Sequence, residues 1–591
     1  MRHTRRAAGR ERPPAEEHER GARGAAERAT GLAAGLGQGG PRAADYGALG
    51  LYALALVATG AVLLPIGVTL VASLREGLLT DGGPWALVNF QTVVTHPRFG
   101  QVVGNTLALG LGTVAVMLAI AVPLTWLVAR SDLPGRGLVY TLLVAQVAIP
   151  SFLTAMAYVF LLNPRNGMVN LWLKGLLGVA APIFNVQSVA WMAALQGIVL
   201  VPAAVFMMLA AFAAMDPTLE EAAAVSGLPR AQILLRVVCP MLLPSILAAG
   251  LFFFVIAVEI FDFAGIIGMP ADIFVVSSWI YDLTHPSTGL PLYGPASSVG
   301  VLLMAITVPA VVLYLWATRS AGRYVTVTGK RVRARPLPLG RWRWPALAFV
   351  GAYFSLSFAI PALTLFWASV VPYLQPPSAA ALGRASFQSY AYALSFFGTP
   401  LKNTLLLMVA TATLACALSL CVSWVVTRSR LPGRRVLDGV VFLAPAIPAL
   451  IGAVAFMYVA LSIYRVAPLY GTIWLIVLAL AVRALAFTSR TLNGAAIQLH
   501  PELDEAARVS GLPTLASFRR IFVPLVAPAL VYAWTWVAVL AARDLTTPIM
   551  LYARDNPTVA TLIFNLQANG KSDQAAAVAV LLMGVLIVVS I

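Results

Sequence analysis

The chain has 591 residues, of which 60% are hydrophobic and 11% are charged, and its mean hydropathy is +0.85. Soluble domains carry about 25% charged residues, so this composition, with its recurring apolar runs, excludes an ordinary soluble protein and predicts a polytopic membrane protein. The net charge is +17. Because the basic residues lie beside apolar runs, we interpret them as membrane-flanking charges and expect no nucleic-acid partner.

The basic residues are concentrated in two segments outside the apolar runs. Residues 1–45 hold nine Arg against six acidic residues, and 319–344 holds seven Arg and one Lys with no acidic residue. Because basic segments next to spans stay on the cytoplasmic side, we predict a cytoplasmic N-terminus and a cytoplasmic linker. The first segment lacks the apolar core of a signal peptide, and its composition is typical of a disordered tail.

Apolar runs divide the chain into two predicted membrane domains, 46–318 and 345–591, with six spans in each. The segment 266–295 contains no Lys or Arg and is predicted to be an external loop, whereas 428–435 contains four Arg and is predicted to be cytoplasmic. The predicted spans are 48–72, 102–128, 138–162, 188–214, 241–265, 296–318, 345–372, 403–427, 437–461, 471–497, 525–549 and 574–591.

The two domains repeat one another in sequence. Asn105-Thr106-Leu107 returns as Asn403-Thr404-Leu405 at an offset of 298, and the offset later falls to 284, which places 14 extra residues between Leu161 and Val186. These features predict an all-α membrane protein whose roughly 12 transmembrane helices form two parallel six-helix repeats. The last span stops at Ile591 without the basic residues that end its counterpart, so we expect the natural chain to continue for a few residues.

One short charged segment occurs twice at the offset of 284: Glu-Ala-Ala, three residues, Gly, nine residues, and a group of four that ends in Pro. Acidic residues in a first helical turn and a terminal Gly predict two short helices joined by a tight bend. A connector that only links two spans is the alternative, and the identical spacing in both domains argues against it. The shared positions are Glu221, Ala222, Ala223, Gly227 and Pro240 in the first copy, and Glu505, Ala506, Ala507, Gly511 and Pro524 in the second.

With these segments the chain resembles the permease subunits of binding-protein-dependent ABC importers, whose signature ends in Ile-x-Leu-Pro. In the first copy Val and Cys replace Ile and Leu, and in the second copy Val replaces Leu. The resemblance covers both domains and implies a type I importer fold. It implies that each segment is a coupling helix docking on one subunit of an ABC ATPase dimer, with Glu221 and Glu505 pairing with basic groups there. A periplasmic or lipid-anchored substrate-binding protein is the other implied partner, besides membrane lipid.

The chain has no phosphate-binding loop of the Gly-x-x-x-x-Gly-Lys-Ser/Thr type. ATP and Mg²⁺ are therefore expected on the separate ATPase, with no cofactor in this chain, and we expect a transport subunit without enzymatic activity in the bacterial inner membrane. A secondary transporter with six-helix repeats and a membrane-embedded enzyme are the alternatives. The three Cys and five His residues show no spacing typical of disulfides or metal sites.

Within this class, the fused layout is similar to that of ferric-iron permeases. The segments that carry the likeness lie around Asn163–Asn170, Glu259–Ala271 and Arg543–Leu545. The resemblance implies ferric iron as cargo, while thiamine, a polyamine or another small polar solute remains open, since fused permeases occur there too.

Charged residues within predicted spans are candidates for a translocation path because charge is costly at membrane depth. Glu259 and Asp262 lie in the fifth predicted span, and Arg543 and Asp544 lie at the matching place in the eleventh. We hypothesise a Glu259–Arg543 gate pair or path lining; snorkelling at the outer interface is the alternative. Arg483, in the tenth span, is given little weight because it also fits the cytoplasmic end.

Four prolines occur at repeat-equivalent points of the two domains and predict helix breaks or kinks. They serve either as hinges for alternating access or as static packing kinks. They are Pro150, Pro244, Pro448 and Pro528.

Overall fold

The chain is all-α throughout the part that the structure describes, apart from an isolated antiparallel bridge between Arg75 and Trp85. The structure is a computed structural model, and the predicted tail 1–45 and most of the basic linker lie outside its described residues. The described residues are 46–77, 83–178, 181–214, 220, 222–223, 225–286, 288–321, 338–429, 431–500 and 502–590.

The first half of the described chain contains eleven α-helices. They are α1 Tyr46–Ser73, α2 Val88–Val94, α3 Phe99–Arg130, α4 Arg136–Ala148, α5 Ser151–Leu162, α6 Met168–Leu177, α7 Val189–Ala214, α8 Arg230–Ile233, α9 Cys239–Glu259, α10 Val276–Thr284 and α11 Tyr293–Ala321. Helical turns of other types join some of them, namely π-helical turns at Leu234–Val238 and Ala264–Gly268 and a 3₁₀ turn at Met269–Ala271.

The second half repeats this order. Its α-helices are α12 Arg343–Phe354, α13 Ile360–Val370, α14 Ala379–Leu382, α15 Gln388–Arg428, α16 Arg434–Phe442, α17 Ala449–Ser462, α18 Ile473–Ile497, α19 Glu502–Val509, α20 Thr514–Ser517, α21 Val523–Arg543, α22 Thr546–Met550, α23 Val559–Ala568 and α24 Ser572–Ser590. Between them lie π-helical turns at Ser355–Ala359 and Phe518–Phe522 and 3₁₀ turns at Gly340–Trp342 and Ala444–Ala446.

The predicted spans correspond closely to observed helices. Nine helices of the described chain are long and apolar enough to cross a membrane, and three sharply bent helix pairs raise the number to as many as twelve. Each of the nine matches a predicted span. The 14 extra residues of the first half include α6, which has no helical counterpart in residues 463–472.

Two predicted spans, 138–162 and 437–461, are broken rather than straight. The chain bends by 90° between α4 and α5 and by 110° between the segment Arg434–Ala446 and α17. Pro150 and Pro448 stand at these bends, immediately before the second helix of each pair. A proline disfavours helical geometry in the residue before it and has no N–H to donate, so a helix ends before it and a new one begins after it.

The segment 266–295 is not the simple external loop that the sequence predicts. It contains a bent pair, Ala264–Ala271 and α10, with an angle of 74° between its parts. Ile267, Trp279 and Ile280 from this pair are buried. A segment without Lys or Arg is predicted to lie away from the cytoplasmic side of the membrane. This composition does not distinguish a loop from helices that are too short to cross the membrane.

The repeated Asn-Thr pairs anchor such short helices in both halves. Thr106 Oγ1 accepts the N–H of Val276 at 2.8 Å, and Thr404 Oγ1 accepts that of Val559 at 2.9 Å. The amides of Asn105 and Asn403 donate to the preceding loop carbonyls at 3.0 and 2.9 Å. The threonines satisfy N–H groups that a helix start leaves without intrahelical partners, and the asparagines satisfy carbonyls of the loop before it, which explains why the pair occurs twice.

The first helix of each half packs against the other half. Helix α1 contacts α15, α16 and α17, and the Tyr52 hydroxyl donates to the carbonyl of Pro432 at 2.9 Å. Conversely, Tyr353 of α12 donates to Gln146 at 2.8 Å and is buried among residues of α3 and α7. The two halves are therefore interlocked, and the interior of the molecule is shared between them.

Candidate functional site

Each copy of the duplicated segment ends its helix in the same way. The N–H of Leu228 donates to the carbonyl of Ala223 at 3.2 Å, and the N–H of Leu512 donates to that of Ala507 at 3.0 Å. This six-residue bond is the Schellman helix end, which needs a left-handed residue just before the donor. Gly227 and Gly511 supply it with φ of +81° and +73°. The predicted bend at both glycines is confirmed.

The two segments present matching faces. We call residues 220–228 the first coupling segment and residues 502–512 the second. Ala223 and Ala507 are buried, whereas Val225 and Val509 are each 90% exposed. The same division at equivalent positions gives each segment one buried face and one exposed face.

The remaining predicted residues of the coupling segments fit this division. Ala222, Glu505 and Ala506 are exposed beside the valines, and Glu505 lies in the first turn of α19, where the helix dipole favours an acidic side chain. Glu221, the matching acid of the first copy, lies outside the described residues. Its predicted role stays a prediction.

The helix after each bend is longer than the sequence predicts. It continues through a π-helical turn, at Leu234–Val238 or Phe518–Phe522, into the spanning helices α9 and α21. Pro240 and Pro524 are the second residues of those helices, and each lacks the N–H that the ladder would use where the π-helical turn passes into the α-helix. The prediction of two short helices is therefore wrong for the second one, which joins the coupling segment directly to a span.

The predicted intramembrane charges lie at helix ends and in the breaks that follow. Glu259 and Arg543 are the last residues of α9 and α21, Asp544 lies in the break that follows, and Asp262 begins the next helical segment. Glu259 is 7% exposed and Asp262 is 5% exposed. Because a snorkelling side chain places its charge in water, this burial argues against that alternative for both carboxylates.

Two of these charges meet the bend between α4 and α5. The Ser151 hydroxyl donates to Asp262, and the Arg543 guanidinium donates to the carbonyl of Val147. Asp262 also interacts electrostatically with Arg543 and with Asp544. Charges from both halves are thus gathered around the bend next to Pro150.

The predicted Glu259–Arg543 pair is not formed in the described structure. Glu259 instead interacts electrostatically with Arg483, whose Nη1 lies 2.9 Å from Oδ2 of Asp544. Oε1 of Glu259 is buried without a hydrogen-bond partner among the described residues. We call Glu259, Asp262, Arg483, Arg543 and Asp544 the charge group. The sequence interpretation that gave Arg483 little weight as a path residue is therefore wrong. Its position ten residues into α18 was the available signal.

The described residues include no group of three or more His, Cys, Asp or Glu side chains placed to hold a metal ion. The charge group contains three carboxylates and two guanidinium groups, so its net charge is −1 when all five are ionised. Such a group can orient helix ends and contact a polar solute.

A comparison with protein families decides the class. Residues 121–323 and 419–591 each match the family described as the binding-protein-dependent transport system inner membrane component. The chain belongs to this family. Both halves are thus permease repeats on one chain, the type I ABC permease fold is confirmed, and the chain is a transport subunit rather than an enzyme.

The permease is also similar to individual transport system permease proteins. The ferric transport system permease protein FbpB of Actinobacillus pleuropneumoniae is 23% identical over 526 residues, which cover 86% of this chain and 73% of that protein. The sulfate transport system permease protein CysT of Salmonella typhimurium is 34% identical over 142 residues, which cover 22% of this chain and 50% of that protein.

One solved structure is also similar to the permease. It is a bacterial alginate ABC transporter in complex with an alginate-bound periplasmic protein, and its matching chain is 22% identical with a TM-score of 0.34. The match covers 41% of this permease and 84% of that chain.

Proposed function

We propose that this permease forms the complete membrane pore of an ATP-driven importer and that its two coupling segments dock the two subunits of an ABC ATPase dimer. The matched exposure of Val225 and Val509, at equivalent positions beside Ala222 and Ala506, carries this proposal. Each exposed face leads through a bend and a π-helical turn into a spanning helix, which is a direct mechanical route from an ATPase to the pore.

We propose ferric iron, delivered by a substrate-binding protein, as the cargo. The support is that FbpB matches over 86% of this chain, whereas CysT, a sulfate permease, matches over 22%. Sulfate is therefore the second candidate, and thiamine and polyamines remain alternatives. Iron would be cargo in transit, for which the excess of carboxylates around Asp262 and Asp544 is suitable and a permanent ligand set is not required.

In this proposal the N-terminus, the linker 319–344 and both coupling segments lie on the cytoplasmic side. The basic residues of the tail and the linker support this orientation. The domain limits 46–318 and 345–591 follow from the same reading and stay predictions.

Co-purification tests the docking role. The wild-type permease is expected to retain an ATPase in detergent, and the double variant Glu221→Arg, Glu505→Arg is expected to release it. The matched control is Asp555→Arg, which makes the same charge reversal at an exposed site between α22 and α23, outside both coupling segments. Transport by the permease in the absence of any ATPase would contradict the importer mechanism.

Cargo is tested separately with proteoliposomes that contain the permease, the co-purified ATPase and the substrate-binding protein encoded beside them. ATP-dependent uptake of radioactive iron, sulfate, thiamine and spermidine is measured in parallel. Iron uptake with no uptake of the other three supports the proposal, and sulfate uptake without iron uptake replaces the cargo while leaving the coupling role intact.

A further inference from the structure

Two ion pairs occupy equivalent places in the two halves. Arg130 Nε lies 3.1 Å from Oε1 of Glu220, and Arg428 Nη1 lies 3.2 Å from Oδ2 of Asp504. The two arginines are related by the repeat offset of 298 and the two acids by the offset of 284. Each pair therefore joins the same two structural elements, once in each half.

The positions of the four groups along their helices are also the same. Each arginine is in the last turn of a spanning helix, α3 or α15, where the helix dipole favours a cation. Asp504 is in the first turn of α19, where the dipole favours an anion. The ion pair thus connects the end of a span to the start of a coupling segment with charges that also stabilise both helix ends.

Burial makes these pairs firm connections. The side chains of Arg130 and Glu220 are 3% and 1% exposed, and those of Arg428 and Asp504 are 8% and 23% exposed. Surface ion pairs contribute little, but separating a buried pair leaves a charge in a poorly solvated site. The coupling segment and the end of the span are therefore expected to move as one unit.

Arg428 extends the connection to a third element. Its Nη2 donates to the carbonyls of Ala496 and Leu499 at 2.8 Å each, at the end of α18. One guanidinium thus holds together a span, the helix that leads into the coupling segment, and Asp504 of that segment. Asp504 immediately precedes Glu505 of the exposed face, so the tie is one residue away from the surface assigned to the ATPase.

We propose that Arg130 and Arg428 are positioning residues that transmit movement of the coupling segments to the spans α3 and α15. The proposal rests on the coupling role proposed above. Without these ties, a moving coupling segment would pull only on the two spans that are continuous with it in sequence, α7 and α9 or α18 and α21. With them, each ATPase subunit also moves α3 or α15, so three spans of its half move together.

The experiment measures this movement without any cargo. Spin labels are placed at Leu138→Cys and Val436→Cys, which are repeat-equivalent and 64% and 69% exposed, in a permease whose three native cysteines are replaced by Ser. Both sites follow the ends of α3 and α15. Pulsed EPR distances are recorded on the permease–ATPase complex with and without ATP. The test variant is Glu220→Gln, Asp504→Asn, and the matched control is Asp555→Asn, which removes a charge from an exposed site between α22 and α23.

The wild type and the control are expected to show an ATP-dependent change in the label distance. The test variant is expected to retain the ATPase to within about twofold and to lose at least about half of the distance change. The charge exchange Arg428→Asp, Asp504→Arg is expected to restore more of the change than Arg428→Asp alone. If the variant Glu220→Gln, Asp504→Asn does not fold, the single variant Asp504→Asn, at the more exposed pair, is measured instead. The same loss of the distance change is expected for it.

The outcomes separate the two proposals. If the wild type does not bind an ATPase, the coupling role itself fails. If the variant binds the ATPase and keeps the full distance change, the transmission role of the arginines is overturned while the docking role stands.

Discussion

At the scale of single residues, the backbone of Gly511 decides whether the second coupling segment can bend. An L-residue in the left-handed region costs about 1–2 kcal/mol, and φ at Gly511 is +73° with open space around an added Cβ. Gly511→Ala is therefore expected to be strained by conformation alone. We predict a weaker association with the ATPase, measured by co-purification, at nearly unchanged thermal stability of the spans.

Gly494 provides the control for that variant. It lies within α18, and an added Cβ there also meets open space, without a left-handed backbone. Replacing a glycine by alanine inside a helix gains up to about 1 kcal/mol, so Gly494→Ala should leave ATPase retention intact. Equal loss of ATPase in both variants would show that the bend at Gly511 is not the cause.

The Arg483–Asp544 pair gives a second prediction at this scale. Asp544 also accepts the N–H of Thr547 at 2.9 Å, and removing either residue of the pair leaves the other without its direct ion-pair partner. The cost for a buried pair is about 3–5 kcal/mol, and the 40% exposure of the Arg483 side chain lowers it. We predict that Arg483→Gln and Asp544→Asn each reduce uptake more than the double variant does. A double-mutant cycle on thermal stability measures the coupling, and strictly additive effects would contradict it.

At the scale of elements, the exposed face of each coupling segment is the feature to test. Fully burying a valine is worth about 1.5–3 kcal/mol, which corresponds to roughly tenfold or more in affinity. We predict that Val225→Asp and Val509→Asp each weaken ATPase binding by at least about tenfold, and that the fold is unaffected because each side chain is 90% exposed.

Val466 is the matched control for the two valines. It is also 90% exposed but lies in the connection between α17 and α18, at the opposite end of α18 from the coupling segment. Val466→Asp should leave ATPase binding unchanged, as measured by titration of the purified ATPase. An equal loss at Val466 would mean that the valines act through general destabilisation and not through docking.

The helices that the sequence predicts well are the long apolar ones, because about 20 apolar residues leave little choice but a span. The bend at Gly511 is equally predictable, since glycine at a helix end has one common explanation. The π-helical turn before Pro524 is not, because it changes hydrogen-bond register without changing composition. The short helix α10 is not predicted from the sequence for a related reason. Its nine residues are too few to give the long apolar run that identifies a membrane span.

The charge group shows the other limit of the sequence. The repeat offset makes Glu259 and Arg543 equivalent positions of the two halves, and this equivalence predicts a pair across the central axis. The structure instead pairs Arg483 with Asp544 and joins Arg543 to the carbonyl of Val147. An internal repeat predicts equivalent positions in two halves, but contacts between the halves depend on rotamers and on breaks such as the one at Pro150, which the offset does not encode.

At the scale of the whole molecule, the exchanged first helices make the two halves depend on one another. Helix α1 covers apolar surface of the second half, where Leu51, Ala55 and Val62 share a core with residues of α15, α16 and α18. Helix α12 covers surface of the first half in the same way. Apolar surface of each half is therefore covered by a helix of the other half.

A split chain tests this interlocking. Residues 1–330 and 331–591, produced from separate genes in one cell, are expected to co-purify and to retain the ATPase, because the contacts of α1 and α12 are formed by packing rather than by the linker. Either half produced alone is expected to aggregate or be degraded, since its partner surface, including the site of the Tyr353–Gln146 hydrogen bond, is uncovered. Deleting α1 from the co-produced first half should abolish assembly even though every residue of the second half is present. A first half that is monomeric and thermally stable by itself would contradict the exchange of helices.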